Sequence, residues 1–232
     1  MARILLIGGH GKVALLTEPL LVHDGHAVDA VVRNPDHTDD VVATGAIPIV
    51  ADVEQSSTDE LVELVADHDV VVWSAGAGGG SPERTYAVDR DAAIRTVDAA
   101  VRAGVPRFVM VSYFGAGHDH GVPEDDPFFA YAEAKAAADE HLRGSELDWV
   151  VLGPSGLTAD EPTGRVELAE GDPASGGPSA GTVSRADVAA VVAAVVGRPE
   201  VSRVTLRFNN GDVPIEDALN QAQSDLQNEL GE

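Results

Sequence analysis

Residues 8–14 read Gly8-Gly9-His10-Gly11-Lys12-Val13-Ala14 and follow directly on the apolar run Arg3–Ile7. In this G-x-x-G-x-x-A spacing, Gly8 allows a tight turn, Gly11 allows a ligand to approach the backbone, and Ala14 allows a helix to pack closely on the strand. A helix that begins here presents free N–H groups and the positive end of its dipole to an anion. The motif therefore predicts a strand, a turn and a helix that bind the pyrophosphate of a dinucleotide. The residues expected to contact the dinucleotide are Gly8, Gly9, His10, Gly11, Lys12 and Val13.

Strand-like and helix-like patterns alternate along the rest of the chain. Short apolar runs are typical of strands buried on both faces, and they predict strands at Arg3–Ile7, Ala27–Val32, Ile47–Val50, Asp69–Ser74, Arg107–Ser112, Asp148–Leu152 and Arg203–Phe208. The stretches between them predict helices at Lys12–Asp24, Thr58–Ala66, Glu83–Ala103, Pro127–Arg143, Arg185–Val196 and Pro214–Asn228. The alternation predicts an α/β fold, a Rossmann-type doubly wound parallel sheet of about seven strands with helices on both faces.

The chain has 232 residues, of which 44% are hydrophobic, so it can bury a sizeable core. We expect one domain over residues 1–232, in which residues 153–232 contribute a small substrate-side region. Within that region, residues 158–182 are rich in glycine and proline. A loop of this length in a compact domain is usually a lid or a disordered excursion.

The charge is strongly negative, with 39 acidic against 15 basic residues and a net charge of −24. Binding to nucleic acid or to an anionic membrane requires clustered basic residues, so the composition argues against both partners. The acids are spread along the chain, which predicts a hydrated acidic surface like that of cytosolic proteins from salt-accumulating archaea. We therefore expect a halophilic protein whose surface charge serves solubility.

The absence of cysteine excludes disulfides, thiol nucleophiles, iron–sulfur clusters and cysteine zinc sites. No apolar run is long enough to span a membrane and the first residues do not have the layout of a signal peptide, so a cytoplasmic location is expected. His118-Asp119-His120 lacks a third ligand nearby, and we expect no metal site. The expected partner is a small-molecule substrate, and both a monomer and a homodimer remain open.

The end of the second predicted strand indicates which dinucleotide is bound. NAD sites usually have a carboxylate there for the ribose 2′-hydroxyl, whereas NADP sites have an arginine for the 2′-phosphate. Here the position carries Arg33, and Asp29 lies four residues too early. The sequence therefore predicts NADP rather than NAD. Further contacts are expected at the ends of the third and fourth strands, to the adenine from Asp52 and Val53 and to a ribose from Ser74, Ala75 and Gly76.

A second constellation predicts chemistry at the other end of the cofactor. Tyr131 and Lys135 are four residues apart on a predicted helix and share one face. A phenol with a pKa near ~10 needs a nearby cation to act as an acid or base, and Lys135 could supply it and also hold the nicotinamide ribose. Ser112 ends the fifth strand, where its hydroxyl could bind a carbonyl oxygen. Lys12 and Lys135 are the only lysines in the sequence, which strengthens this assignment.

These segments together resemble a known family. They are GGHGKVA (8–14), VVRNP (31–35), AVDRDAAIRTVDAA (87–100), AGVPRFVMVS (103–112), YAEAK (131–135), LDWVVLGPSGLT (147–158), SRADVA (184–189) and GDVPIEDAL (211–219). The chain resembles an atypical short-chain dehydrogenase/reductase of the small NADP-binding group labelled NAD-dependent epimerase/dehydratase. It is also similar to flavin/biliverdin reductases and to NmrA-like proteins. The resemblance implies a catalytic set of Ser112, Tyr131 and Lys135, with Asp89 where the wider superfamily has an asparagine.

Three functions are compatible with these residues. The first is an NADP-dependent oxidoreductase that reduces a small carbonyl compound, with a proton from Tyr131. The second is a non-catalytic, NmrA-like regulator that binds NADP, and the third is a sugar epimerase or dehydratase that uses bound NAD(P). The complete Ser-Tyr-Lys set favours the oxidoreductase over the regulator. The short sequence after Leu152 argues against a sugar-nucleotide epimerase, because those enzymes have a larger C-terminal substrate domain.

Overall fold

The strands form where the sequence has short apolar runs. The computed structural model describes residues 1–78, 81–169 and 179–230. Its strands are β1 (Arg3–Ile7), β2 (Ala27–Val32), β3 (Ile47–Val50), β4 (Val70–Trp73), β5 (Arg107–Val111), β6 (Asp148–Pro154), β7 (Gly156–Thr158), β8 (Arg165–Leu168), β9 (Thr182–Ser184), β10 (Val204–Asn210) and β11 (Val213–Pro214). The first three have the predicted bounds, and the other four predicted strands are shifted by one or two residues at their ends.

The central sheet has nine strands in the order β11-β8-β10-β6-β5-β4-β1-β2-β3. β1 to β6 and β10 are parallel, as predicted, while β8 pairs antiparallel with both β10 and β11. The expectation of about seven strands was therefore wrong. β8 has only one fully buried residue, Val166, and β11 has two residues, so neither produces an apolar run. β7 and β9 form a separate two-stranded sheet.

Helices cover both faces of the central sheet. They are α1 (Ala14–His23), α2 (Thr38–Ala43), α3 (Thr58–Val65), α4 (Pro82–Thr85), α5 (Ala93–Ala103), α6 (Phe129–Arg143), α7 (Arg185–Val196) and α8 (Ile215–Leu230). Ser57 and Glu60 form a capping box at the start of α3, and Ser184 caps α7. Gly104, with a φ of 74°, ends α5 in the left-handed conformation that glycine adopts without strain. α2 was not predicted, because its six residues are too few to show a helical pattern.

The predicted helix Glu83–Ala103 is continuous but not regular. Between α4 and α5 the chain forms a π-helical stretch, Tyr86–Ala92. A π-helical turn widens the helix locally and is frequent at functional sites. Here it contains Asp89, whose side chain is buried.

Two hydrophobic clusters lie on opposite faces of the sheet. One joins the sheet to α1, α7 and α8 and includes the fully buried Phe208. The other joins it to α3, α5 and α6 and includes Trp73 and Phe108. Burial on both faces explains why the central strands are almost wholly apolar. No helix within the described ranges is long and apolar enough to cross a membrane.

The glycine- and proline-rich segment 158–182 is only partly a loop. It contains all of β8 and ends at the first residue of β9. Asp187 fixes the turn before β8, because its carboxylate accepts hydrogen bonds from the backbone N–H groups of Thr163 and Gly164. The part of the predicted loop over residues 170–178 lies outside the described residues.

Candidate functional site

A cleft of about 840 Å³ opens at the carboxyl ends of β1 to β5. This volume is typical of sites that hold a small molecule or a cofactor. Except for Gly9, every predicted site residue lines it: Gly8, His10, Gly11, Lys12, Val13, Arg33, Asp52, Val53, Ser74, Ala75, Gly76, Asp89, Ser112, Tyr131 and Lys135. The fold thus brings together residues that are up to 127 positions apart in the chain (135 − 8).

The glycine-rich turn is shaped by steric limits. Gly8 has a φ of +92°, and a Cβ on it would lie 2.7 Å from the backbone N and Cα of Ala75. Gly11 donates its N–H to the Gly8 carbonyl oxygen at 2.8 Å, and α1 begins at Ala14, which is fully buried. Together these contacts produce the turn that the motif predicts, with a helix N-terminus behind it.

Gly9 packs away from the cleft. Its N–H donates to the carbonyl oxygen of Val31 at 2.8 Å, and a Cβ on it would lie 2.9 Å from the Cβ of Ala30. Gly9 therefore allows the turn to lie close against β2, and the prediction that it contacts the dinucleotide is not supported by its position. The neighbouring His10 is oriented by stacking on His37 and by a contact of 2.8 Å to Asp40.

The end of the cleft beside β2 carries Arg33. Its side chain is 55% exposed, and its guanidinium has one weak ionic contact within the described part of the chain, 3.5 Å from Glu54. Arg84 also lies 3.5 Å from Glu54, and it donates to the carbonyl oxygen of Ala77 at 3.0 Å. Arg33 is therefore available to an incoming anion, whereas Arg84 is held more firmly. Glu54 and Arg84 were not identified from the sequence, because nothing in their local pattern distinguishes them from surface residues.

The other end of the cleft lies between β5 and α6. The ammonium group of Lys135 is buried and donates to the carbonyl oxygen of Val111 at 2.9 Å. The hydroxyl of Ser112 donates to a carboxylate oxygen of Asp139 at 2.5 Å. Asp89 accepts a hydrogen bond from the N–H of Ala77 at 2.9 Å. Lys135 and Ser112 are thus each fixed by a partner at the base of the cleft.

The phenol of Tyr131 is less acidic in this structure than the sequence predicted. Burial, followed by the charges of Asp89 and Asp139, raises the pKa of its phenol above the ordinary value. The expected assistance from Lys135 is missing, because the ammonium group is turned to the backbone of β5. A raised pKa makes Tyr131 a weaker proton donor than its Tyr-x-x-x-Lys spacing indicated.

An aromatic cluster borders the same end of the cleft. The ring of Tyr131 lies 5.1 Å from that of Phe128 and 5.4 Å from that of Tyr113, measured between centroids. Phe128 is 43% exposed and lines the cleft. Phe129 instead packs edge-on against His120, 5.7 Å away. The cluster gives this end of the cleft an aromatic wall whose rings are inclined to one another.

Two further residues at this end were missed from the sequence. Asp139 is fully buried on α6, one turn after Lys135, and this i+4 spacing is the signal that could have found it. The second is Arg185, which lines the cleft and whose guanidinium forms no ion pair with any described residue. Asp187, two residues later on α7, is structural, as its contacts to the turn at Thr163 show.

The histidines of the His118-Asp119-His120 segment point to different partners. His120 lies 2.8 Å from Glu133, and His118 lies 4.0 Å from Glu140. Across the described ranges, no three histidine, aspartate or glutamate side chains are grouped so that they could hold a metal ion.

The cleft reverses the charge balance of the whole chain. Five of its lining residues are basic and three are acidic, whereas the chain has 15 basic and 39 acidic residues. The basic ones are Lys12, Arg33, Arg84, Lys135 and Arg185, and the acidic ones are Asp52, Glu54 and Asp89. A cleft of this composition, with a helix N-terminus at its base, suits a ligand that carries phosphates.

The fold and this cleft define a Rossmann-type protein with a dinucleotide-binding site. The chain belongs to the NAD(P)H-binding family, whose model matches residues 8–199. It is 30% identical over 219 residues to the uncharacterized sugar epimerase YhfK of Bacillus subtilis, covering 94% of this chain and 98% of the relative. The resemblance to atypical short-chain dehydrogenases/reductases is confirmed by this match and by the family.

Two solved structures show the same fold. A Bacillus halodurans protein with the provisional label NAD-dependent epimerase/dehydratase is 31% identical, with a TM-score of 0.86 over 95% of this chain and 100% of that one. ChuY of Escherichia coli O157:H7, described as an anaerobilin reductase, is 23% identical, with a TM-score of 0.73 over 91% of this chain and 98% of that one. At 23% identity, the likeness to ChuY extends to the fold alone.

Proposed function

We propose that this protein is an NADP-dependent oxidoreductase that reduces a small carbonyl compound. The observation that carries the proposal is one cleft with two different ends. One end has the glycine-rich turn and Arg33, which suit an anionic dinucleotide, and the other has the hydroxyls of Ser112 and Tyr131. Hydroxyls at the carboxyl end of β5 lie where the reactive end of a dinucleotide is expected in this fold.

The residues present fit the cofactor. A Cβ on Gly8 or Gly11 would narrow the turn at the start of α1, where the pyrophosphate would be held by backbone N–H groups. Arg33 would bind the 2′-phosphate, since its only ionic contact with a described residue is the weak one to Glu54. When bound, NADPH supplies the hydride.

The residues at the opposite end would bind and orient the substrate. Ser112 and Tyr131 would hydrogen-bond the carbonyl oxygen, and one of them would give it a proton. Lys135 donates to the backbone of β5 and to the Sδ of Met110 at 3.8 Å, which leaves one donor for the nicotinamide ribose. Asp89 would order the loop after β4 through its bond to Ala77.

The two alternative functions use the same cleft differently. The labels of the B. subtilis and B. halodurans relatives favour an epimerase or dehydratase. The structure after β6 argues against this. Most of the described residues there extend the central sheet or pack against it, in β8, β10, β11 and α8, so few remain to form a sugar-nucleotide site. An NmrA-like regulator would bind NADP but would not need Ser112 or Tyr131. ChuY has this fold and is described as a reductase, so the fold can host a reductase.

A combined binding and turnover assay tests the proposal. NADPH and NADH affinities would be measured by fluorescence titration, and NADPH oxidation would be followed with aldehydes, ketones, quinones and flavins. The panel should include carbonyl compounds with and without a carboxylate, because the Arg185 guanidinium faces the cleft without an ionic partner in the described chain. Tight NADPH binding with no oxidation by any compound would favour the regulator. Conversion of a sugar nucleotide without net NADPH loss would favour the epimerase.

A further inference from the structure

The carboxyl group of Asp139 is buried directly behind Ser112. The residue is fully buried, and one of its oxygens accepts the hydrogen bond from Ser112 at 2.5 Å. The other oxygen is also buried and accepts no hydrogen bond from the residues that the structure describes. An ionised carboxylate has about four acceptor sites to satisfy. A buried carboxylate with a single hydrogen-bond partner is therefore costly, and a neutral carboxyl is favoured.

The cations around Asp139 favour its ionised form, but burial outweighs them. On the cleft side lies Lys135, a cation that Asp139 shares with the buried Asp89. Arg143 on α6 and Arg207 on β10 also act on Asp139, and together with Lys135 and the Ser112 hydrogen bond they lower its pKa. Burial outweighs these four effects, so the pKa of Asp139 is raised overall.

The two nearby phenols cannot take over the storage of this proton. Burial raises the pKa of Tyr113 to about 12, and it also raises that of Tyr131. Both phenols are therefore already protonated at neutral pH and hold their protons firmly. The hydroxyl of Tyr131 has no hydrogen-bond partner among the described residues that could replace a donated proton, whereas Ser112 has Asp139.

We propose that Asp139 stores the proton that the reduction consumes and passes it to the substrate through the hydroxyl of Ser112. This inference rests on the proposed function. With its proton on the oxygen nearest Ser112, Asp139 donates to the serine oxygen, and the serine O–H turns to the cleft. As the carbonyl carbon gains a hydride, the C=O π electrons move to the oxygen, which takes the proton of Ser112. The serine oxygen takes the proton of Asp139 and leaves a carboxylate, and water in the cleft restores that proton through Ser112.

Asp139 is a positioning residue in this scheme, because it acts through Ser112 and does not touch the substrate. Its protonation can be measured without cofactor or substrate by infrared spectroscopy. At pH 8 the wild type should show the C=O stretch of a protonated carboxylic acid, shifted in D2O and absent from Asp139→Asn. Asp89→Asn and Glu18→Gln are the matched controls, since Asp89 and Glu18 are further buried carboxyls with raised pKa values. Identical spectra for wild type and Asp139→Asn would overturn the proposal.

Kinetics with an active carbonyl substrate test the transfer itself. Asp139→Asn can still hydrogen-bond Ser112 but carries no acidic proton, so kcat should fall by about 10²-fold or more with the NADPH Kd unchanged. Ser112→Ala should cause a similar fall, Ser112→Thr should restore part of it, and the double variant should be no worse than Ser112→Ala. If the fold-losses in kcat of the two single variants multiply in the double variant, the two residues act separately, and the relay is overturned. If the wild type reduces no carbonyl compound, the proposed function fails, and the infrared spectrum still decides whether Asp139 holds a proton.

Discussion

Replacing Gly8 by alanine tests how the glycine-rich turn is built. Two costs are expected at this position. The φ of +92° is outside the range that alanine adopts readily, which costs about 1–2 kcal/mol. The new Cβ would also lie 2.7 Å from the backbone of Ala75, which cannot rotate away as a side chain could. Forcing this contact apart costs roughly a further 1–3 kcal/mol, as in an overpacked core.

Gly25→Ala is the matched control for the backbone cost. Gly25 has a φ of +83°, but a Cβ on it would meet no atom within 4 Å, and it lies beyond the opposite end of α1. This variant should lose only the roughly 1–2 kcal/mol of backbone strain. Gly8→Ala should lose about 2–5 kcal/mol in total, because β1 and the chain after β4 must also separate.

The two variants would be compared by thermal unfolding and by NADPH titration. For a chain of this size, 1 kcal/mol corresponds to about 2–4 °C in Tm. Gly8→Ala should therefore unfold at a lower temperature than Gly25→Ala, and it alone should lose NADPH binding. Equal Tm values for the two variants would refute the steric part of this reasoning. A Gly8→Ala protein that binds NADPH normally would refute the assignment of the turn to the pyrophosphate.

Three other perturbations have expected outcomes. Arg33→Ala should weaken NADPH binding by roughly 1.5–3 kcal/mol and leave NADH binding unchanged in fluorescence titrations; equal wild-type affinities for both cofactors would contradict the assignment. The net charge of −24 should destabilise the fold in dilute buffer, so Tm should rise between ~0.1 M and ~2 M KCl, and a flat or falling Tm would contradict the halophilic interpretation. Burial raises the pKa of Glu18 from 4.5 to about 7 despite its hydrogen bond from Thr44. Because the pKa is raised in the folded state, the stability that the protonated carboxyl contributes is complete below about pH 4.5 and is lost as the pH rises to about 7. The fall in Tm between about pH 4.5 and pH 7 should therefore be smaller in Glu18→Gln, and equal falls would contradict this.

The sheet was predictable where strands are buried on both faces. Runs such as Val70–Trp73 leave no room for a helical pattern, and their bounds were found to within one or two residues. β8 was not predicted because only Val166 is fully buried, while Leu168 is half-buried and Arg165 and Glu167 are exposed. Edge strands and two-residue strands are held by tertiary pairing, which a local pattern does not record.

The site was predictable where chemistry requires a fixed spacing. The residues of the glycine-rich turn lie close together in the sequence, and so do Tyr131 and Lys135, so that a local pattern reveals both sets. The i+4 spacing places Asp139 on the same helical face as Lys135, but it does not show that Asp139 bonds Ser112, because the two meet only when α6 packs against β5. For the same reason the orientation of Lys135 toward the backbone of β5, and with it the raised pKa of Tyr131, required the structure.

An approaching dinucleotide experiences two opposing fields around this protein. At long range the −24 charge of the chain repels its phosphates, whereas inside the cleft the basic residues outnumber the acidic ones. Mobile ions weaken the distant field first, since screening acts beyond a Debye length of about 10 Å at 0.1 M salt. Diffusional capture of the cofactor should therefore accelerate as ionic strength rises, the reverse of the behaviour of enzymes that attract their ligands through their overall charge. The acidic surface thus limits how quickly the cleft is filled in dilute solution, and the contacts inside it set how long the cofactor stays.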